Sequence, residues 1–248
     1  RKMKAEVKAD CESLVKGRQR QWRTWSRFQN ASASLRNVID IAREKGSSSW
    51  LTCRPLKKYG FSLTKQEFWD RLCLRYGWTP ARIPTHCSCG QEVSVSHSLS
   101  CPHGGFPTIR HNAIRDTTAQ LLHQVCSNVS TEPTLQPLTG EQLQYRTANV
   151  EDHARLDVAA SGLWGSRFER TLIDVRVFNP YARSNQSAPR TTVYHRHERE
   201  KRRHYEERVR QVEHATFVPA VMSASGSMGK AATALYKRVA SLLAAKRG

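Results

Sequence analysis

The chain predicts an α/β (α+β) fold, with a Cys/His module and a helical region ahead of it. Three observations predict this. Residues 109–248 switch between apolar residues spaced for a helix and apolar residues spaced for a strand. Cys87, Cys89, His97 and Cys101 crowd into fifteen residues. Residues 1–45 are rich in Lys, Arg, Glu and Ala, with Trp22, Trp25 and Phe28 at helical spacing.

Taken in order, residues 1–80 read as a helical linker or domain end. Within them Thr64 and Glu67 form a capping-box signature, and Phe68, Leu72 and Tyr76 follow at four-residue steps. Pro80 and Pro84 interrupt this region and open a module over 81–108, which Gly104-Gly105 closes as a hinge. From 109 to 248 the expected order is a helix over 111–126, a strand over 128–135 and a polar stretch to 153. Strands at 154–160 and 168–178, a charged helix over 194–213, a strand from Thr216 to Met222 and a helix over 228–245 follow. In the last helix Met228, Ala232, Leu235, Val239 and Leu242 share one face.

Lys and Arg number 40 against 21 acids, a formal charge of +19 spread along the chain. Such a balance points to a polyanion, and nucleic acid first, but it brings no chemistry by itself. No apolar run reaches the roughly 18 residues of a membrane span, and no signal peptide is apparent. The expected setting is nuclear, or otherwise intracellular and associated with nucleic acid, not secreted. A first residue of Arg1 reads as a piece of a longer protein.

The seven cysteines are odd in number, and their crowding beside histidines favours metal over disulfides. Cys87, Cys89, His97 and Cys101 read C-x-C-x7-H-x3-C. Zinc takes four such ligands in a tetrahedron, and a filled shell makes the site structural. Gly90 relaxes the turn after the C-x-C pair, and His97 and Cys101 lie one helical turn apart. His86 and His103 flank the cluster as substitutes, and free thiols or a Cys87–Cys101 disulfide are the plain alternatives. Arg110 and Arg115 just beyond it are candidates for phosphate contact.

Two carboxylates stand inside hydrophobic strands: Asp157 in Leu156-Asp157-Val158, and Asp174 in Leu172-Ile173-Asp174-Val175-Arg176. Aspartate is disfavoured there, and a buried unpaired carboxylate is costly. If the strands pair, both can meet at one divalent cation. Phosphodiester hydrolysis needs that cation, an activated water and positive charge on the phosphorane. Mg2+ suits the oxygen ligands, with Mn2+ as the other candidate. Glu132 is a third acid and Asp116 its rival. Lys201 is expected on the sheet-facing stripe with Tyr194, Tyr205, Val209 and Val212. The plain reading of that helix is a solvated face paired as Glu198–Arg202 and Glu206–Arg210. Arg176, Arg202 and Arg203 are further candidates for nucleic-acid contact.

The order helix, strand, two strands with Asp157 and Asp174, helix, strand resembles the PD-(D/E)xK nuclease core. That likeness implies a mixed sheet flanked by helices, with both aspartates on Mg2+. Leu156 stands where that motif has Pro, and Arg176 where it has its Lys. The cluster placed before such a core, with His103-Gly104-Gly105-Phe106 and Arg110-His111-Asn112 after it, is similar to the C-terminal end of LINE-type non-LTR retrotransposon polyproteins. In those elements the lysine has moved to the next helix, as Lys201 stands here, with a Tyr nearby, as Tyr205 does. The resemblance implies a nick in target DNA that primes reverse transcription. DNA is then the partner, with RNA of the same element and the rest of the polyprotein as further ones. The competing readings are a catalytically inactive nucleic-acid-binding zinc module on a nuclease-like fold, favoured by Arg176, and a part that only docks on a polymerase.

Overall fold

The computed structural model describes residues 31–57, 60–81 and 83–248. The helix expected around Trp22, Trp25 and Phe28 lies outside them. The described residues divide into two compact units, 31–42 with 63–80 in the first, and those between 43 and 62 and between 81 and 248 in the second.

In the first unit α1 spans Ala33–Arg43, its last residue crossing into the second, and a helix spans Lys65–Tyr76. The latter begins with the expected capping box: the Thr64 hydroxyl accepts from the Glu67 amide, and the Glu67 carboxylate accepts from the Thr64 amide at 2.7 Å. It ends at Gly77, whose φ of 71° is a left-handed cap that favours glycine.

The second unit is a mixed α/β structure. After the one-turn α2 (Ser49–Thr52) and, in the first unit, α3 (Lys65–Tyr76), its elements are α4 (Val95–Ser100), α5 (Phe106–His123), β1 (Ser127–Thr131), β2 (Val158–Ser161), β3 (Arg170–Phe178) and α6 (Arg183–Gln186). Then come α7 (Arg190–Lys201), a π-helical turn (Arg202–Glu206), α8 (Glu207–Gln211), β4 (Thr216–Ser223) and α9 (Lys230–Arg247). The four strands make one sheet in the order β1-β2-β3-β4, the first two pairings antiparallel and the last parallel. A parallel pair needs a long crossover, and α6 to α8 supply it. Among the described residues no helix is long and apolar enough to cross a membrane.

Alternation along the strands sorts the two faces. Ile173 and Val175 of β3, with Val158, Ala160, Val218 and Ala220, pack against Ala119 and Leu122 of α5 and Ala232, Leu235 and Val239 of α9. Leu172, Ala159 and Phe217 point the other way, onto Val209 of α8. Each fully buried Leu or Val stabilises the fold by about 1.5–3 kcal/mol.

Several boundaries differ from the sequence expectation, each for a local reason. The helix expected over 111–126 begins at Phe106, because Gly105 enters at φ 72° and Pro107 suits a first turn. The first strand stops at Thr131, since Glu132 has φ 51° and Pro133 cannot donate. The strand expected over 154–160 is regular only from Val158. Residues 154–156 pair instead with 133–135, through Leu135 N to Ala154 O (2.8 Å) and Leu156 N to Pro133 O (3.2 Å). Leu156 and Val158 therefore fall on opposite faces, and the slip occurs at Asp157.

The charged helix is broken in type by its π turn. The extra residue shifts the spacing, so Arg202 pairs with Glu206, and the expected Glu198–Arg202 pair is absent from the ion pairs among the described residues. Glu198 turns inward and accepts from the Ala231 amide at 3.0 Å, capping the start of α9. Gly229 leaves room for it, since a Cβ there would collide with Glu198 Oε1.

His197 is buried on α7, its ring 4.8 Å from that of Phe178 and its Nδ1 3.6 Å from Glu200 Oε2. Burial, then the charges of Arg176 and Arg196, hold its pKa below the usual histidine value. The unfolded chain takes up a proton at about pH 6.5 that the folded chain refuses until lower pH. Stability is therefore expected to fall as pH drops below about 6.5. His197→Leu removes the titratable ring together with its contact to Glu200 and should stay within about 1 kcal/mol of wild type at neutral pH. Urea midpoints near neutrality and in mild acid should show a flatter decline for this variant than for the wild type; an equal decline would assign the acid sensitivity elsewhere.

Candidate metal centre and acidic site

Two constellations lie in the second unit. The first is the Cys/His cluster. The C-x-C turn is closed by Gly90 N to Cys87 O and Cys87 N to Gln91 O, both 2.8 Å, with Gly90 at φ 85°. Ser94 caps α4 through the His97 amide, and Cys101 N bonds His97 O at 2.8 Å, so the second pair of ligands comes from one helical turn. The four ligand atoms lie within 4.8 Å of one another. Cys87 Sγ is 3.9 Å from Cys101 Sγ, and Cys89 Sγ is 3.3 Å from His97 Nε2. A tetrahedron with zinc–sulfur bonds of about 2.3 Å has edges of about 3.8 Å, so these separations suit one small ion. The Cys89 amide, then His97 and the Cys89 thiol, lower the Cys87 thiol to about 6. The His103 amide pulls Cys101 down, but burial and the two neighbouring sulfurs outweigh it and leave it raised. One sulfur is thus already disposed to ionise, as a metal ligand must. The residues that can hold a metal here are the four expected; His86 instead bonds Thr85 Oγ1 through Nδ1 at 3.2 Å, and His103 is exposed.

This module is fixed to the sheet. Asn179, one residue past β3, donates from Nδ2 to Ser96 O (2.9 Å), Ser96 Oγ (3.1 Å) and Ser100 Oγ (2.7 Å) of α4. Arg110 of α5 donates to Leu99 O at 3.1 Å. Arg110 is thus half-buried and spent on a backbone carbonyl, where the sequence reading had it facing phosphate.

The second constellation joins Asp157, Asp174, Lys201 and His111. Asp157 lies where β2 parts from β3. Its amide donates to Ile173 O at 3.1 Å, and its Oδ2 accepts from the Val175 amide at 2.5 Å. It therefore brackets Asp174, bonding the residue before it and the residue after it. Asp174 shares the α7 side of β3 with Leu172 and is 5% exposed, so it is removed from water. Lys201 meets it across the face, with Nζ 2.9 Å from Oδ2 and 3.2 Å from Oδ1, the better-aligned hydrogen bond. The same ammonium lies 5.7 Å from the centre of the Tyr205 ring. Burial pushes the Asp174 carboxyl above the usual range, Lys201 pulls it down, and the charge of Asp157 pushes it up again. A cation placed at the two carboxylates relieves both upward effects.

His111 Nε2 lies 2.9 Å from Asp157 Oδ1. That bond raises the imidazole pKa, burial opposes it, and the charges of Asp157 and Asp174 add to the rise. The sequence reading did not place His111 in the site. Its signal was the four-residue step to Arg115, which puts both on one face of α5.

Arg115 holds both third-acid candidates: it bonds Asp116 at 2.8 Å and also Glu132, whose other oxygen is 3.9 Å from Arg155. Glu132 is tied to Asp157 through its backbone, N to O at 2.9 Å. Arg176 reaches Glu200 at 3.3 Å, Arg202 pairs with Glu206, and Arg203 is exposed. No protein-family model matches this chain, and no curated protein matches it.

Proposed function

We propose that the second unit is a divalent-cation-dependent DNA endonuclease braced by a zinc ion at Cys87, Cys89, His97 and Cys101, of the kind that ends LINE-type retrotransposon polyproteins. The observation that carries it is a buried Asp174 between the ammonium of Lys201 and the carboxylate of Asp157, on a chain of net charge +19. Asp174 in β3 and Asp157 just before β2 bring two like charges together, and such perturbed acids gather at functional sites. The π turn directly after Lys201 supports the same reading, because such turns gather at functional sites.

Asp157 and Asp174 would hold Mg2+ or Mn2+, with Glu132 beside them. The bound cation supplies Lewis-acid polarisation of the phosphate and a more acidic water. Lys201 offers a positive charge next to that place, where it can orient the attacking water and offset charge on the phosphorane. Water oxygen joins phosphorus, the P–O3′ bond breaks, and the released 3′ hydroxyl is the end from which a polymerase can extend. Arg202 and Arg203 suit contact with the phosphate backbone. Structural zinc supplies the folding energy that so short a module cannot obtain from a core.

One observation favours the inert alternative. Lys201 already pairs with Asp174 at 2.9 Å, as in a merely structural ion pair. Plasmid nicking separates the two readings. Wild type with Mg2+ is expected to nick, wild type with EDTA and Asp174→Ala with Mg2+ are not. Equal nicking by wild type and Asp174→Ala, or none by either, leaves the binding module.

A further inference from the structure

We propose that His111 is a positioning residue for Asp157: its imidazole N–H holds one carboxylate oxygen so that the group keeps one orientation toward an incoming divalent cation. The inference rests on the hydrolase reading and gives α5 a part in it.

Asp174 has a cation of its own in Lys201, at 2.9 Å. Among the described residues no Lys or Arg pairs with Asp157: Arg115, one turn along α5 from His111, is occupied by Asp116 and Glu132. An aspartate carboxylate turns broadly about its last torsion, so a single donor leaves its plane free to swing. Two donors on different oxygens remove that freedom. The Val175 amide takes Oδ2 at 2.5 Å, and His111 Nε2 takes Oδ1 at 2.9 Å. Each oxygen retains a second lone pair, so both anchors are compatible with a metal bond.

The imidazole is itself well placed to be a fixed anchor. It rises from the second turn of an 18-residue helix. The preceding residue, Arg110, is bonded to Leu99 O at 3.1 Å, and α4 is held to Asn179 by three hydrogen bonds. The side chain of His111 is only 31% exposed. Partners that hold a ligating carboxylate typically matter about 10–100-fold in metal affinity.

Mn2+ binding to the full zinc-loaded chain, followed by calorimetry and by electron paramagnetic resonance without DNA, tests this. Asp174→Asn serves to subtract unrelated sites. His111→Ala is expected to weaken the Asp174-dependent site by about 10–100-fold, and His111→Gln, which keeps an N–H donor, to stay within about threefold of wild type. The Mn2+ concentration that gives half-maximal nicking should rise by the same factor in His111→Ala. Unchanged Mn2+ affinity in His111→Ala, or a His111→Gln as weak as His111→Ala, overturns the inference and leaves the hydrolase reading standing. A wild type without an Asp174-dependent Mn2+ site takes both away.

Discussion

Lys201→Met is expected to lower Mg2+-supported nicking by roughly 10²–10⁴-fold while leaving cation affinity intact or tighter. The two effects part because Lys201 has two relations to Asp174. In the metal-free protein it is the counter-charge of a buried carboxylate, at 2.9 Å. In the proposed reaction it is an ammonium held beside the two acids. Methionine keeps the stem that packs along the helix face and deletes the charge. Asp174 is then left buried with Asp157 as neighbour, so its carboxyl rises further and the metal-free protein loses stability. Mg2+ should restore much of that stability, since a ligand that binds only the folded state stabilises it by mass action. Melting temperature with and without Mg2+, together with nicking rate at saturating Mg2+, reads both halves. A Lys201→Met protein that nicks at the wild-type rate would falsify a catalytic part for this lysine, whatever its stability.

Arg208→Ala is expected to destabilise the second unit by about 3–5 kcal/mol, which for a unit of this size is a melting-temperature fall of about 10 °C. Arg208 is fully buried in α8. Its Nη1 donates to Asn149 O at 2.9 Å and Glu151 O at 2.8 Å, and its Nη2 donates to Gln136 O at 2.7 Å. Its neighbours complete the grip: Glu207 accepts from the Gln144 amide at 2.9 Å, and Glu213 accepts from the Gln136 amide at 2.6 Å. The polar stretch between β1 and β2 has little regular structure of its own, so these side chains satisfy its backbone. Truncation leaves three carbonyls without that partner and a hole where the guanidinium was. Lysine should rescue only part, because one ammonium cannot reproduce the planar fork. Scanning calorimetry decides it: a melting temperature within about 2 °C of wild type means that the loop finds other donors and Arg208 is not its anchor.

This loop also shows where reading the chain residue by residue stopped. The stretch from 136 to 153 looked merely polar, and Arg208 looked like one of many charges on a solvated helix. Nothing in its spacing separated it from Arg210, which is exposed. The difference comes from the loop carbonyls that reach α8 from 57 to 72 positions away. The same holds for Glu198. Its expected partner was four residues on, yet the π turn and the amide of Ala231 claimed it for the cap of α9. The ligand cluster was legible for the opposite reason. Cys87, Cys89, His97 and Cys101 span fifteen residues, so a tight turn and one helical turn are enough to gather them.

The sequence by itself determined the main order of elements, the capped start of α3 and the Cys/His quartet that could hold a metal. These depend on local periodicity and on groups close along the chain, where spacing and geometry are nearly the same thing. Only the tertiary structure decided that Asp157 sits at a slip between faces, that His111 from another helix holds it, and that Arg115 engages both third-acid candidates. Apart from the adjacent Arg115 and Asp116, those contacts join residues 17 to 46 positions apart, through carboxylates whose partners are chosen by which elements pack together.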